Sequence, residues 1–235
     1  NREGPATGIE HWGTEFFGPR TSHGNSPGPQ ATMSEMTPNE TIIPHFHGTT
    51  QFQLFIAGRG TIGARNEPLA PVSVQFKDHH TAYGPVTAGP HGLSFVALRM
   101  ITGDSAPTYL SKPGAREKLK PSKRRNLTSA PVKFSIEPLL QARTTVAWES
   151  LFDTSDDGMS AQVVRLGAGM SVQGPNPKIA AGYYVFVGNG SMIHNAAELP
   201  LWSVVVVEPT EEEFNICAGN KGLEALVLQY PREEH

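Results

Sequence analysis

The chain has 235 residues, 38% hydrophobic and 17% charged, with one cysteine and a formal net charge of −3. That length supports one large domain or two of about 100 residues each, either of which buries a real core. The composition excludes an internal disulfide framework, argues against nucleic acid as a partner and contains no membrane-length apolar run, leaving a cytoplasmic protein that meets small molecules as the expectation.

The N-terminus, Asn1-Arg2-Glu3-Gly4-Pro5, has no initiator Met and no charged-then-apolar leader pattern, as in a trimmed chain. His11 and Trp12 lie in an N-terminal arm. Beyond it, 24 glycines and 20 prolines separate short stretches rich in Val, Phe, Thr and Ile, such as Gln53-Leu54-Phe55-Ile56 and Val72-Ser73-Val74-Gln75-Phe76. This punctuation predicts an all-β protein. From Gly103 to Ala130 the pattern breaks: Lys112, Arg116, Lys118, Lys120, Lys123, Arg124 and Arg125 lie among Pro113, Gly114 and Pro121. That segment reads as a solvated basic linker. Leu139 to Trp148 is too brief and too rich in Thr and Val for a long helix, so little helix is expected. Val204 to Val207 reads as a buried strand.

Residues two apart on a strand project to one face, so His45 and His47 present two imidazoles to one point, and Gln51 reaches the same side. A third imidazole has to come from a neighbouring strand, where His79, His80 and His91 are available. Between Val72 and His80 the even positions Val72, Val74 and Phe76 are apolar, which puts His80 on the inward face and His79 off it. His91, within Gly89-Pro90-His91-Gly92, reads as a turn residue and stands in reserve. Gln51 serves either as a weak neutral ligand through its amide oxygen or as a hydrogen-bond donor to a bound group, and Gln53 shares its parity as a weaker competitor. Tyr83 follows on the same path and can line the site or act as an acid. No Gly-x-Ser-x-Gly elbow, phosphate-binding loop or cysteine pair is present.

An internal repeat emerges at an offset of 130 residues. It sets Asn39–Gly60 against Gly169–Gly190, Val74 against Val204, and Ala88–Leu93 against Ala218–Leu223. In this frame Pro175 and Pro177 stand opposite His45 and His47, and Ala181 stands opposite Gln51.

The first block, Asn39-x5-His45-x-His47-x3-Gln51-x6-Gly58, resembles the first motif of the cupin superfamily, with Asn at its leading Gly and Gln at its metal-binding Glu. The second cupin motif is not recognisable in either half. The resemblance implies two double-stranded β-helix (jelly-roll) barrels in tandem: residues 1–102 as arm plus metal-binding barrel, 103–130 as linker, and 131–235 as a degenerate barrel without metal ligands. It implies one divalent metal ion per chain, Fe2+ first with Zn2+, Mn2+ or Ni2+ as alternatives, held by His45, His47, Gln51 and His80. The function expected is a non-haem Fe(II) dioxygenase acting on a small oxygenated substrate. Alternatives are a redox-neutral metal-dependent isomerase, cyclase or lyase, and a non-catalytic binding protein with a structural metal. A homodimer formed through the same sheets is expected.

Overall fold

The computed structural model describes residues 2–3, 11–18, 28–100 and 106–232. Contacts divide the chain into two compact units, Asn1–Val132 and Lys133–His235. In the first unit the strands are β1 (Arg2–Glu3), β2 (His11–Phe17), β3 (Gln30–Met36), β4 (Thr41–Ile42), β5 (His45–Phe46), β6 (Gln51–Ile62), β7 (Glu67–Leu69), β8 (Ser73–Lys77), β9 (Val86–Arg99), β10 (Thr108–Tyr109) and β11 (Asn126–Thr128). They form an antiparallel sheet of order β1-β2-β3-β9-β6-β8-β11, with β4 on β9, β7 on β6, and a separate pair of β5 with β10.

The second unit contains α1 (Glu137–Gln141), β12 (Ala147–Phe152), β13 (Ser160–Leu166), β14 (Ser171–Gln173), β15 (Tyr183–His194), β16 (Ala197–Leu199), β17 (Val204–Val207) and β18 (Asn215–Gln229). Its sheet runs β12-β13-β18-β15-β16, with β14 on β18 and β17 on β15. The protein is all-β: among the described residues helix amounts to α1 and two short 3-10 turns. Among these residues the ladders leave each sheet open, with no pairing between its edge strands.

The ladders of the two units match pair by pair. Gln30 pairs with Arg99 and Met36 with Leu93, as Ser160 pairs with Gln229 and Leu166 with Leu223. That correspondence keeps the offset of 130, but β6 and β15 do not. Gln51 pairs with Lys77 and Gln53 with Gln75, while Tyr183 pairs with Val207 and Val185 with Val205. Gln51 therefore matches Tyr183 instead of Ala181, and Gly58 matches Gly190 instead of Gly188. The hairpins explain the shift. Residues 63–66 join β6 to β7, whereas Asn195 and Ala196 alone join β15 to β16, both at positive φ as a type I′ hairpin turn requires. The shorter turn offsets the two additional residues before β15.

Gly58 and Gly190 confirm the pairing, since they have φ of 74° and 71°. A Cβ on either would overlap a carbonyl oxygen, that of Gly92 or of Gly222.

The basic segment expected as a linker belongs to the first unit as far as Val132; the expected boundary at residues 102 and 103 lies outside the described residues. Tyr109 of β10 pairs with His45, and β11 adds to the edge of β8. The anchor is Asp78, 5% exposed, which takes Nη2 of Arg125 at 2.8 Å, its Nε at 3.0 Å and its backbone N at 2.8 Å. A two-pronged guanidinium–carboxylate pair of this kind holds one geometry, so Arg125 ties the segment to the end of β8. Lys112, Arg116, Lys118, Lys120, Lys123 and Arg124 are exposed, as the charge composition suggested; Arg125 alone is drawn in, by one buried carboxylate.

Gly58→Ala combines backbone strain with a clash and should lower stability by about 2 kcal/mol or more. Urea unfolding of the variant against the parent measures this, and an unchanged midpoint would contradict the close approach.

Candidate functional site

Strand β8 is buried on both faces. One face, carrying Val74 and Phe76, packs with Leu54 and Phe52 of β6; the Phe52 and Phe76 rings lie 4.9 Å apart. The opposite face carries Gln75 and Lys77 beside Gln53 and Gln51. At the four matching positions the second unit has Tyr183, Val185, Val205 and Val207. The same ladder thus fills one unit with apolar side chains and the other with three amides and an amine, so the fold itself does not require the polar set.

His45 reaches this cluster from β5. Its backbone N and O bond to O and N of Tyr83, each at 3.0 Å, and its other edge pairs with Tyr109. Held from both sides, its ring has little freedom. Nδ1 lies 2.9 Å from the Ile43 carbonyl and Nε2 lies 2.9 Å from the Tyr83 hydroxyl. A carbonyl only accepts, so Nδ1 carries the proton, and in the neutral ring Nε2 must accept from Tyr83. The Tyr83 oxygen in turn accepts from the Gln51 amide nitrogen at 2.9 Å, and the Gln51 oxygen accepts from Arg99 Nη2 at 2.8 Å. Arg99 Nη1 donates to Gln30 at 2.7 Å. One directed chain runs from Arg99 through Gln51 and Tyr83 to His45.

The electrostatics follow from burial. Desolvation pulls His45 down to about 4; the hydrogen bond to Ile43 opposes it, and the charge of Arg99 adds to it. Desolvation raises Tyr83 to about 12, against the pull of Arg99 and the amides of Gln51 and Gln53. Burial alone takes Lys77 well below the ordinary lysine value. Its Nζ donates to Gln53 Oε1 at 2.9 Å and to Gln75 Oε1, and stands 4.2 Å from the centre of the Tyr83 ring.

The structure brings together His45, His47, Gln51, Gln53 and Tyr83. The His45 and His47 rings meet edge to face at 5.1 Å, and the His47 ring stacks on Tyr83 at 6.2 Å. His80 takes a different place from the one parity gave it. The strand ends at Lys77, His80 turns to a φ of 54°, and its ring lies 5.5 Å from those of Phe46 and His79. His91 is exposed on β9. Alternation had identified the apolar face of β8 as the inward one, whereas the site lies on the equally buried polar face.

The residues present do not fit the expected divalent metal. Among the described residues no three His, Cys, Asp or Glu side chains stand close enough to share an ion. The Nε2 lone pair of His45 is taken by Tyr83, the oxygen of Gln51 is taken by Arg99, and Arg99 adds a permanent positive charge where a dication would need negative donors. Lys77, Gln75, Arg99 and Gln30 were missed from sequence. The signal that could have found Lys77 and Gln75 was their polar alternation opposite Val205 and Val207 of the repeat.

No protein-family model matches the chain, and no curated protein matches it by sequence. Solved structures do. The cupin 2 conserved barrel domain protein of Leptotrichia buccalis is 10% identical, with 94% of this chain and 89% of that one covered at a TM-score of 0.52. Salicylate 1,2-dioxygenase of Pseudaminobacter salicylatoxidans is 13% identical, covering 86% and 71% at 0.54. The bacterial pirin YhhW of Escherichia coli, solved in complex with nickel(II), is 10% identical, covering 97% and 94% at 0.54. The fold is that of cupin-type proteins. Among the described residues no helix is long and apolar enough to cross a membrane.

A buried His45 with a lowered pKa makes stability depend on pH with a definite sign. Between its ordinary value of 6.5 and about 4, the unfolded chain binds a proton that the folded chain does not. Stability therefore falls as pH drops through that window, by up to about 3 kcal/mol from this group. Urea unfolding at the two ends of the window should show a smaller loss in His45→Gln than in the parent; equal losses would contradict the assignment.

Proposed function

We propose that the first unit binds a small oxygenated organic acid at the Arg99–Gln51–Tyr83–His45 chain and acts on it by redox-neutral proton transfer. One observation carries this reading: the Tyr83 hydroxyl is held between an amide that must donate to it and an imidazole that must accept from it. Near neutral pH both Tyr83 and His45 are uncharged. Tyr83 can take a proton from a bound acid as its own passes to His45 Nε2, with Ile43 steadying the imidazolium at Nδ1. Arg99, one amide away, supplies the positive charge that a carboxylate or enolate needs. This is isomerase or lyase chemistry without a resident metal. We also read the two units as diverged copies of one cupin barrel, the second having filled the site with Tyr183 and valines; the pairwise agreement of the ladders supports this.

The iron(II) dioxygenase expected from sequence is the competing reading. The adjacency of His45 and His47 and the dioxygenase among the fold neighbours favour it; the donor set opposes it.

Elemental analysis of protein purified without chelator or nickel resin, followed by thermal unfolding with a series of small mono- and dicarboxylic acids, separates the two. The expected result is substoichiometric metal and stabilisation of about 2.7 kcal/mol by an acid at 100 times its dissociation constant. Arg99→Gln should weaken that binding about tenfold or more. One equivalent of iron with oxygen consumption would overturn the proposal in favour of the dioxygenase.

A further inference from the structure

The buried amine of Lys77 has no place in the proton relay. It is 1% exposed, and among the described residues its partners are all neutral: two amide oxygens and the face of Tyr83. A buried lysine is ordinarily paired with a carboxylate, because an unpaired ammonium is costly to desolvate. Two amide oxygens and a ring face supply no negative charge to hold the ammonium form, and burial takes the amine well below the ordinary lysine value. Packing does not call for the amine either, since Val207 occupies the corresponding ladder position in the second unit. Gln53 and Gln75 bond to Nζ from adjacent strands and fix its position beside Tyr83.

We propose that Lys77 is a carbonyl-capturing residue and that the organic acid bound by the first unit carries an aldehyde or ketone beside its carboxylate. This deepens the proposed function and rests on it. The Nζ lone pair adds to the carbonyl carbon, forming the C–N bond, and the carbonyl π pair moves to oxygen. That oxygen takes one proton from nitrogen, directly or through Tyr83, to give a carbinolamine. The C–O bond then breaks and the hydroxyl leaves as water with the second amine hydrogen, so amine plus carbonyl gives imine plus water with no oxidant or reductant. In this scheme the carboxylate replaces an amide on Arg99, whose Nη atoms otherwise donate to Gln51 and Gln30, and Tyr83 relays the second amine hydrogen to the departing oxygen.

The test incubates the full chain with pyruvate or with glyoxylate in the presence of sodium cyanoborohydride, which reduces an imine to a stable secondary amine, and maps the adduct by peptide mass spectrometry. Thermal unfolding with each oxo acid alone measures binding separately. The expected result is one adduct per chain on Lys77, forming faster than at the exposed Lys118, Lys120 or Lys178, and lost in Lys77→Met. Parent-chain mapping stands even if that variant folds poorly. Binding without an adduct on Lys77, or adducts spread evenly over surface lysines, overturns the imine and leaves the acid-binding reading intact. Neither binding nor adduct overturns both.

Discussion

The direction of hydrogen-bond donation is imposed on the first unit from its two ends. Arg99 can only donate and the Ile43 carbonyl can only accept, so everything between them has one orientation. Gln51 must present its nitrogen to Tyr83, Tyr83 must turn its proton to His45, and His45 must carry its own at Nδ1. Buried chains of this kind polarise along their length and are costly to break in the middle. The same direction consumes the two best ligand atoms, His45 Nε2 and Gln51 Oε1, and so bears on the chemistry as well as on the packing.

The second unit shows what the fold does without such a chain. Tyr183, Val185, Val205 and Val207 pack into one apolar cluster with Val164, Ile216 and their neighbours. In the first unit one apolar cluster gathers around Phe55, Leu93 and Phe95, and Phe52, Leu54, Val74 and Phe76 are buried on the other face of the ladder; the polar side chains take the positions that Tyr183 and the valines fill in the second unit. Replacing well-packed apolar side chains by a buried amine, a guanidinium and several amides seldom increases stability. The proposed function gives that polar interior a reason to be kept.

Much of this was legible from sequence, for identifiable reasons. Even spacing singled out His45, His47 and Gln51, and the structure brings them together although β5 ends at Phe46 and β6 begins at Gln51; Tyr83 was singled out by its place after His80 in the chain. His80 did not follow, because alternation locates a strand's apolar face and cannot tell which buried face borders a site, nor that the strand stops at Lys77. Arg125 was hidden by its company: six other basic residues made the segment look solvated, and its partner Asp78 lies 47 residues away in sequence. Lys77 looked like an ordinary polar strand residue until the register placed it opposite Gln51.

The slip between β6 and β15 has a consequence for how such units can diverge. Compared with the first unit at the offset of 130, the second has two more residues before the strand and two fewer in the hairpin after it. Because side chains alternate with a period of two, an even step carries each one to an equivalent site on the same face, while a single-residue step would turn the whole strand inside out. Length changes in sheets like these are thus quantised: a hairpin tolerates them in pairs, and a comparison at fixed offset will misalign a strand by two while leaving its pattern of inside and outside looking correct.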